Sequence, residues 1–134
     1  MILYDYFVVI FKYSIFKVRV MAKYYKISDE FHERLEKMAL TDHVYVVMIA
    51  PKPDGLEEAL EKASLQQGFD RMDVIFPYHM EAVRPIEEYC EKNGLIYDTN
   101  ISMRSVFANP TVSQLRELAR KEFVLGIMGN QNTY

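Results

Sequence analysis

One cysteine, five glycines and no surplus of positive charge define this chain first by what they exclude. A lone Cys90 cannot close an internal disulfide, and neither a second thiol nor a suitably spaced imidazole completes a metal site with it. It reads as small apolar filler inside a helix, because free cysteine is usually buried and inert. The glycines form neither a G-x-G-x-x-G turn nor a Walker loop, which removes the usual phosphate-cradling backbones. No serine stands in a G-x-S-x-G elbow. The formal charge is -3, and the basic residues are dispersed apart from the loose group Lys12, Lys17, Arg19, Lys23 and Lys26, so nucleic acid is not an expected partner. No internal repeat or low-complexity segment is visible.

The three histidines offer little chemistry. His32-Glu33-Arg34-Leu35-Glu36 has the outline of the zinc-protease helix H-E-x-x-H, but Glu36 stands where the second imidazole belongs and no third ligand is indicated, so the segment reads as a solvated helix face. His79 reads as a residue at a helix start, and His43, beside Asp42 and ahead of a strand, as a turn residue. Glu57, Glu58 and Glu61, like Glu87, Glu88 and Glu91, have the spacing of solvated helix faces. The expectation is a protein without catalytic residues, metal or cofactor. A small enzyme of dimeric ferredoxin-like type would need His32, His43 or His79 to meet a carboxylate in a pocket.

What is present is a globular composition, 50% hydrophobic and 26% charged, in 134 residues, which suits one domain with one core. Residues 1–20 form an apolar, aromatic extension. They lack a basic leader and a cleavage site, and the uncharged run from Tyr6 to Phe11 is far shorter than the roughly 20 residues that cross a bilayer, so no export signal, no membrane partner and a cytoplasmic location are expected. Two readings of this extension stand side by side: an extra N-terminal strand or hairpin, or upstream sequence preceding a true start at Met21. The single domain then spans 21–134.

Within it, Ser28 starts a short helix with Phe31, Leu35 and Met38 on one face, ended by Thr41-Asp42. Residues 43–50 form a nearly continuous β-branched run that fits a central strand, with Val47 in the core. Pro51-Lys52-Pro53 breaks it, and Asp54 with Glu57 caps a helix bearing Leu56, Ala59, Leu60 and Ala63 that Gly68 ends. Met72–Phe76 reads as a brief strand stopped by Pro77, and Tyr78–Asn93 as a helix that Pro85 kinks or begins and Gly94 ends. Leu95, Ile96, Tyr97, Ile101, Met103, Val106 and Phe107 supply two extended runs. Thr111 and Gln114 make a capping box for a helix with Val112, Leu115, Leu118 and Ala119 on its buried face, and Phe123–Met128 returns as a strand closed by Gly129.

Together these predict an α+β, ferredoxin-like βαββαβ antiparallel sheet with helices on one face, preceded by an N-terminal helix. The strand, turn, "QLRELAR" helix and final strand, with Lys26-Ile27-Ser28, Phe31, Leu35, Met38 and the strand from Asp42 to Ile49 upstream, resemble the subtilase propeptides and their free-standing inhibitor relatives over residues 26–130. In that family one helix separates the first two strands, whereas two helical stretches do so here; the segment Leu56–Phe76 is then an embellishment, or the sheet carries an extra strand.

The resemblance implies an inhibitor or chaperone of a subtilisin-like serine protease, with the sheet face packed on the protease and the tail running through its substrate cleft by strand addition. By position that tail is Gln131, Asn132, Thr133 and Tyr134, with Tyr134 as a product-like anchor and Gln131 where the family prefers an apolar residue. The alternative is a non-catalytic, oligomeric ferredoxin-like module, such as a homodimer, binding a partner or small ligand through its Tyr, Phe and Met surplus.

Overall fold

The computed structural model describes residues 26–129. The extension 1–20 and the tail Gln131–Tyr134 lie outside them. Eight elements follow in order: α1 (Asp29–Glu36), β1 (Val46–Ile49), α2 (Leu56–Ala63), α3 (Arg71–Lys92), β2 (Tyr97–Asn100), β3 (Ser105–Ala108), α4 (Val112–Ala119) and β4 (Gly126–Gly129).

Local chemistry sets most boundaries. The Ser28 hydroxyl accepts from the Phe31 amide at 3.2 Å to open α1, and Asp29 and Glu30 follow at the positive end of the helix. The box at α4 is complete: Thr111 Oγ1 accepts from the Gln114 amide at 3.1 Å, and Gln114 Oε1 from the Thr111 amide at 2.9 Å. At α2 the expected Asp54 cap is not formed; Gly55 takes the N-cap place at φ 83, without a side-chain cap, because the chain must turn sharply after Pro53.

The strand expected at Met72–Phe76 is helix. Asp70 caps α3 by accepting from the Met72 amide at 3.0 Å, and Ile75, His79, Val83, Ile86 and Cys90 then form its buried stripe. A short apolar run carries no period of its own, which is why it reads either way. Pro77 and Pro85 both lie inside α3. Each removes a bond to the carbonyl four residues earlier, at Asp73 and Glu81, and both of those residues are exposed.

The sheet order is β2-β3-β1-β4, with every pairing antiparallel. β1 and β2 therefore run parallel, joined across β3 by α2 and α3, and β3 and β4 run parallel, joined across β1 by α4. This is the ferredoxin-like βαββαβ arrangement, with α2 as the addition between the first two strands. Ile101 and Met103, expected in strands, belong to the turn between β2 and β3.

Strand alternation divides the sheet. Val46 and Met48, with Val106, Ala108 and Ile127, join Phe31, Leu35, Val83, Ile86, Cys90, Val112, Leu115 and Leu118 in one core between sheet and helices. Leu115 and Leu118 are fully buried, as expected. Val47 is not: it is half-buried on the opposite face, because residues 44–50 are apolar in both phases and the sequence cannot show which phase points inward. Side chains also bind helix to sheet. Glu91 accepts from the Tyr97 hydroxyl at 2.5 Å and Glu87 from the Thr99 hydroxyl at 2.6 Å, so two of the glutamates read as a solvated face clamp β2 to α3. Arg84 completes the group at 3.2–3.5 Å from Glu87, Glu88 and Glu91.

Candidate functional site

Two surfaces carry the features that binding requires. The first is the sheet face away from the helices. Val47 pairs with Phe107 on one side and Met128 on the other, so these three apolar side chains stand in one row across β3, β1 and β4. Phe107 is 37% exposed and Met128 is 52% exposed. Asp98, opposite Phe107 on β2, ends the row with a charge, and no helix among the described residues packs on this face.

The second is a cleft of about 880 Å³ at the end of the sheet where β1 stops and the β2–β3 turn begins. Its walls come from α2, the first turns of α3, and Ser102, Met103 and Arg104 of the turn. Asn100 organises that turn: its Oδ1 accepts from the Ser102 hydroxyl at 2.8 Å and the Met103 amide at 3.3 Å. The Ile101 carbonyl then accepts twice, from the Arg104 amide at 3.1 Å and from His79 Nδ1 at 2.7 Å. A carbonyl only accepts, so Nδ1 carries a proton, and His79 pins the turn to α3. His79 is thus a buried residue in the middle of α3, correcting its reading as a helix start.

Arg104 closes the turn at φ 52, the left-handed region where glycine or asparagine is usual. Arg104 is part of the cleft lining, and its Nη1 is buried without a hydrogen-bond partner among the described residues. Lys52 and Arg71 add positive charge to the lining; Glu57, Glu58 and Glu61 balance it. The ammonium of Lys52 bonds to Glu57 and holds that carboxyl below the ordinary carboxylate range. Leu60, Phe69 and Ile75 give the cleft an apolar wall.

The other singled-out residues do not converge. His32 sits 3.5 Å from Glu36 on α1, and exposed His43 hydrogen-bonds through Nδ1 to the Asn109 carbonyl at 2.7 Å; none of these residues lines the cleft. Cys90 is fully buried, and burial, with Glu87 and Glu91 nearby, pushes its thiol up to about 11. Among the described residues no group of three His, Cys, Asp or Glu side chains can hold a metal ion. The proposed tail residues Gln131, Asn132, Thr133 and Tyr134 lie outside the described residues, beyond the end of β4 at Gly129. Sequence reasoning missed Arg104, whose signal was a tight turn, N-I-S-M-R-S, without the glycine that such a turn usually takes.

No helix among the described residues is long and apolar enough to cross a membrane. Comparison of the chain with protein-family models, curated proteins and solved structures finds no match.

Proposed function

We propose that this chain is a protein-binding domain that docks through the helix-free face of its sheet, in the manner of a subtilase propeptide inhibiting a subtilisin-type serine protease. The observation that carries this reading is the row Val47, Phe107 and Met128, aligned by strand register on the face opposite the core. Apolar side chains that a domain leaves partly exposed across adjacent strands favour a partner that removes them from water. The ferredoxin-like topology supports the choice of partner class, since it is the fold that the resemblance implies. In this reading β4 delivers the tail Gln131–Tyr134 to the substrate cleft, where backbone hydrogen bonds supply affinity and Tyr134 fills the primary pocket.

The test is inhibition of a panel of subtilases, with light scattering on the same samples. Inhibition that falls about tenfold or more on deleting Asn130–Tyr134, about 1.4 kcal/mol, and falls again with Phe107→Glu supports the proposal. Phe107 lies on the helix-free face, outside the core cluster, and the melting temperature of the variant checks that the fold is kept. Absence of inhibition across the panel overturns the protease reading. If the protein is instead a dimer that Phe107→Glu dissociates, the sheet face is a self-association surface and the chain is an oligomeric interaction module.

A further inference from the structure

The geometry points to a second binding site, independent of the sheet face: the cleft beside the β2–β3 turn takes a small carboxylate with an apolar body, held by Arg104. The fold leaves Arg104 uncompensated in two ways. Arg104 occupies a left-handed backbone position that glycine would fill without strain. The same residue takes Nη1 of a permanently charged guanidinium out of water without an acceptor among the described residues. Both penalties fall on one residue, and that residue lines a cleft. An oxyanion entering that cleft supplies the missing acceptor, and a rotation about the last bonds of the side chain turns Nη1 towards it.

The turn is built to hold that position. His79 Nδ1 and the Arg104 amide share the Ile101 carbonyl, and Asn100 ties down Ser102 and Met103. His79 is therefore a positioning residue for the Arg104 backbone.

Charge selects the class of anion. Lys52, Arg71 and Arg104 are balanced by Glu57, Glu58 and Glu61, so the lining is formally neutral apart from His79. A dianionic phosphate ester meets three carboxylates there, whereas a single carboxylate pairs with the guanidinium fork and adds less repulsion. Leu60, Phe69 and Ile75 offer contact for an apolar body.

The experiment uses the full chain and 3-phenylpropionate as the probe, with 3-phenylpropionamide as its uncharged match and phenyl phosphate as the alternative anion. Nitrogen-proton correlation spectra follow the Arg104 side chain and the 101–105 amides through each titration. The expected result is saturable movement of these signals by the carboxylate, in the millimolar range that a ligand of this size permits, with binding about tenfold weaker for the amide. Arg104→Gly should abolish that binding while its melting temperature stays level or rises, because glycine relieves the left-handed position. Arg104→Lys, which keeps the charge and loses the fork, should bind more weakly than the native protein and covers the case in which the glycine variant fails to fold. Phe107→Glu should leave carboxylate binding unchanged, which separates this site from the sheet face. No movement of the signals, equal binding of the amide, or native affinity in Arg104→Gly or Arg104→Lys overturns the site. Preference for phenyl phosphate overturns the carboxylate assignment.

Discussion

The Tyr89 hydroxyl of α3 donates to the Glu117 carboxylate of α4 at 2.6 Å, joining two helices that both contribute side chains to the core. Tyr89→Phe should cost about 0.5–1.5 kcal/mol, the net worth of one such bond, and a double-mutant cycle with Glu117→Gln should show that the two losses do not add. Additive losses in urea melts would show that the bond contributes nothing.

Alkaline titration should weaken the fold. Burial raises the Tyr89 hydroxyl above its ordinary value, with the Glu117 bond second, and burial raises Cys90 from 9.0 to about 11. Both groups keep their protons longer when folded, so the unfolded chain ionises first and gains from each further rise in pH. Stability from Cys90 is complete below pH 9 and lost between 9 and about 11, with Tyr89 adding a loss in the alkaline range. Chemical denaturation at a series of pH values checks this; a flat profile up to pH 11 would contradict it. Thiol reagents at pH 8 should label Cys90 only after unfolding.

Leu118→Ala should destabilise by about 2–5 kcal/mol, through lost transfer energy and the cavity left behind. Its side chain is fully buried against the sheet. A loss below about 1 kcal/mol by denaturant melt would place that helix face in solvent.

Thr111→Ala should cost about 1 kcal/mol, because it removes the acceptor for the Gln114 amide and disconnects the reciprocal bond. Ser28→Ala should cost a similar amount at α1. Because Thr111 also bridges His43 across the loop before β1, loss of its cap should also loosen the 41–44 segment in hydrogen exchange.

EDTA should leave the melting temperature unchanged. His32 finds Glu36 and no second imidazole, and Cys90 is sealed in the core. A fall in melting temperature that zinc reverses would refute this.

The sequence shows the fold more clearly than the sites, and particular residues explain why. Caps are local: Thr111 with Gln114, and Ser28 ahead of Phe31, name their helices from three or four neighbouring positions. The amphipathic face of α4 is equally legible, because its polar and apolar positions separate at helical spacing. Where both phases are apolar the signal vanishes, which hid the orientation of Val47, and a run as short as Met72–Phe76 carries too few positions to separate a strand from a helix. The cleft was out of reach for a different reason. Residues near 56–61, 69–79 and 102–104 meet only after the sheet has set the β2–β3 turn against α3, and His79 to Ile101 is a contact that no local pattern encodes.

The position of β1 at the centre of the sheet governs the order in which the molecule can assemble. Both of its hydrogen-bonding neighbours, β3 and β4, are drawn from residues 105–129, so during synthesis Val46–Ile49 emerges long before either exists. Until then a β-branched, uncharged segment has two open edges, the condition under which nascent chains pair with one another. The early helices cannot close those edges, since their backbone groups are taken up by the helical bonds. Formation of the native sheet must therefore wait for the last quarter of the chain, and until then it depends on keeping the VVMI segment apart from its copies.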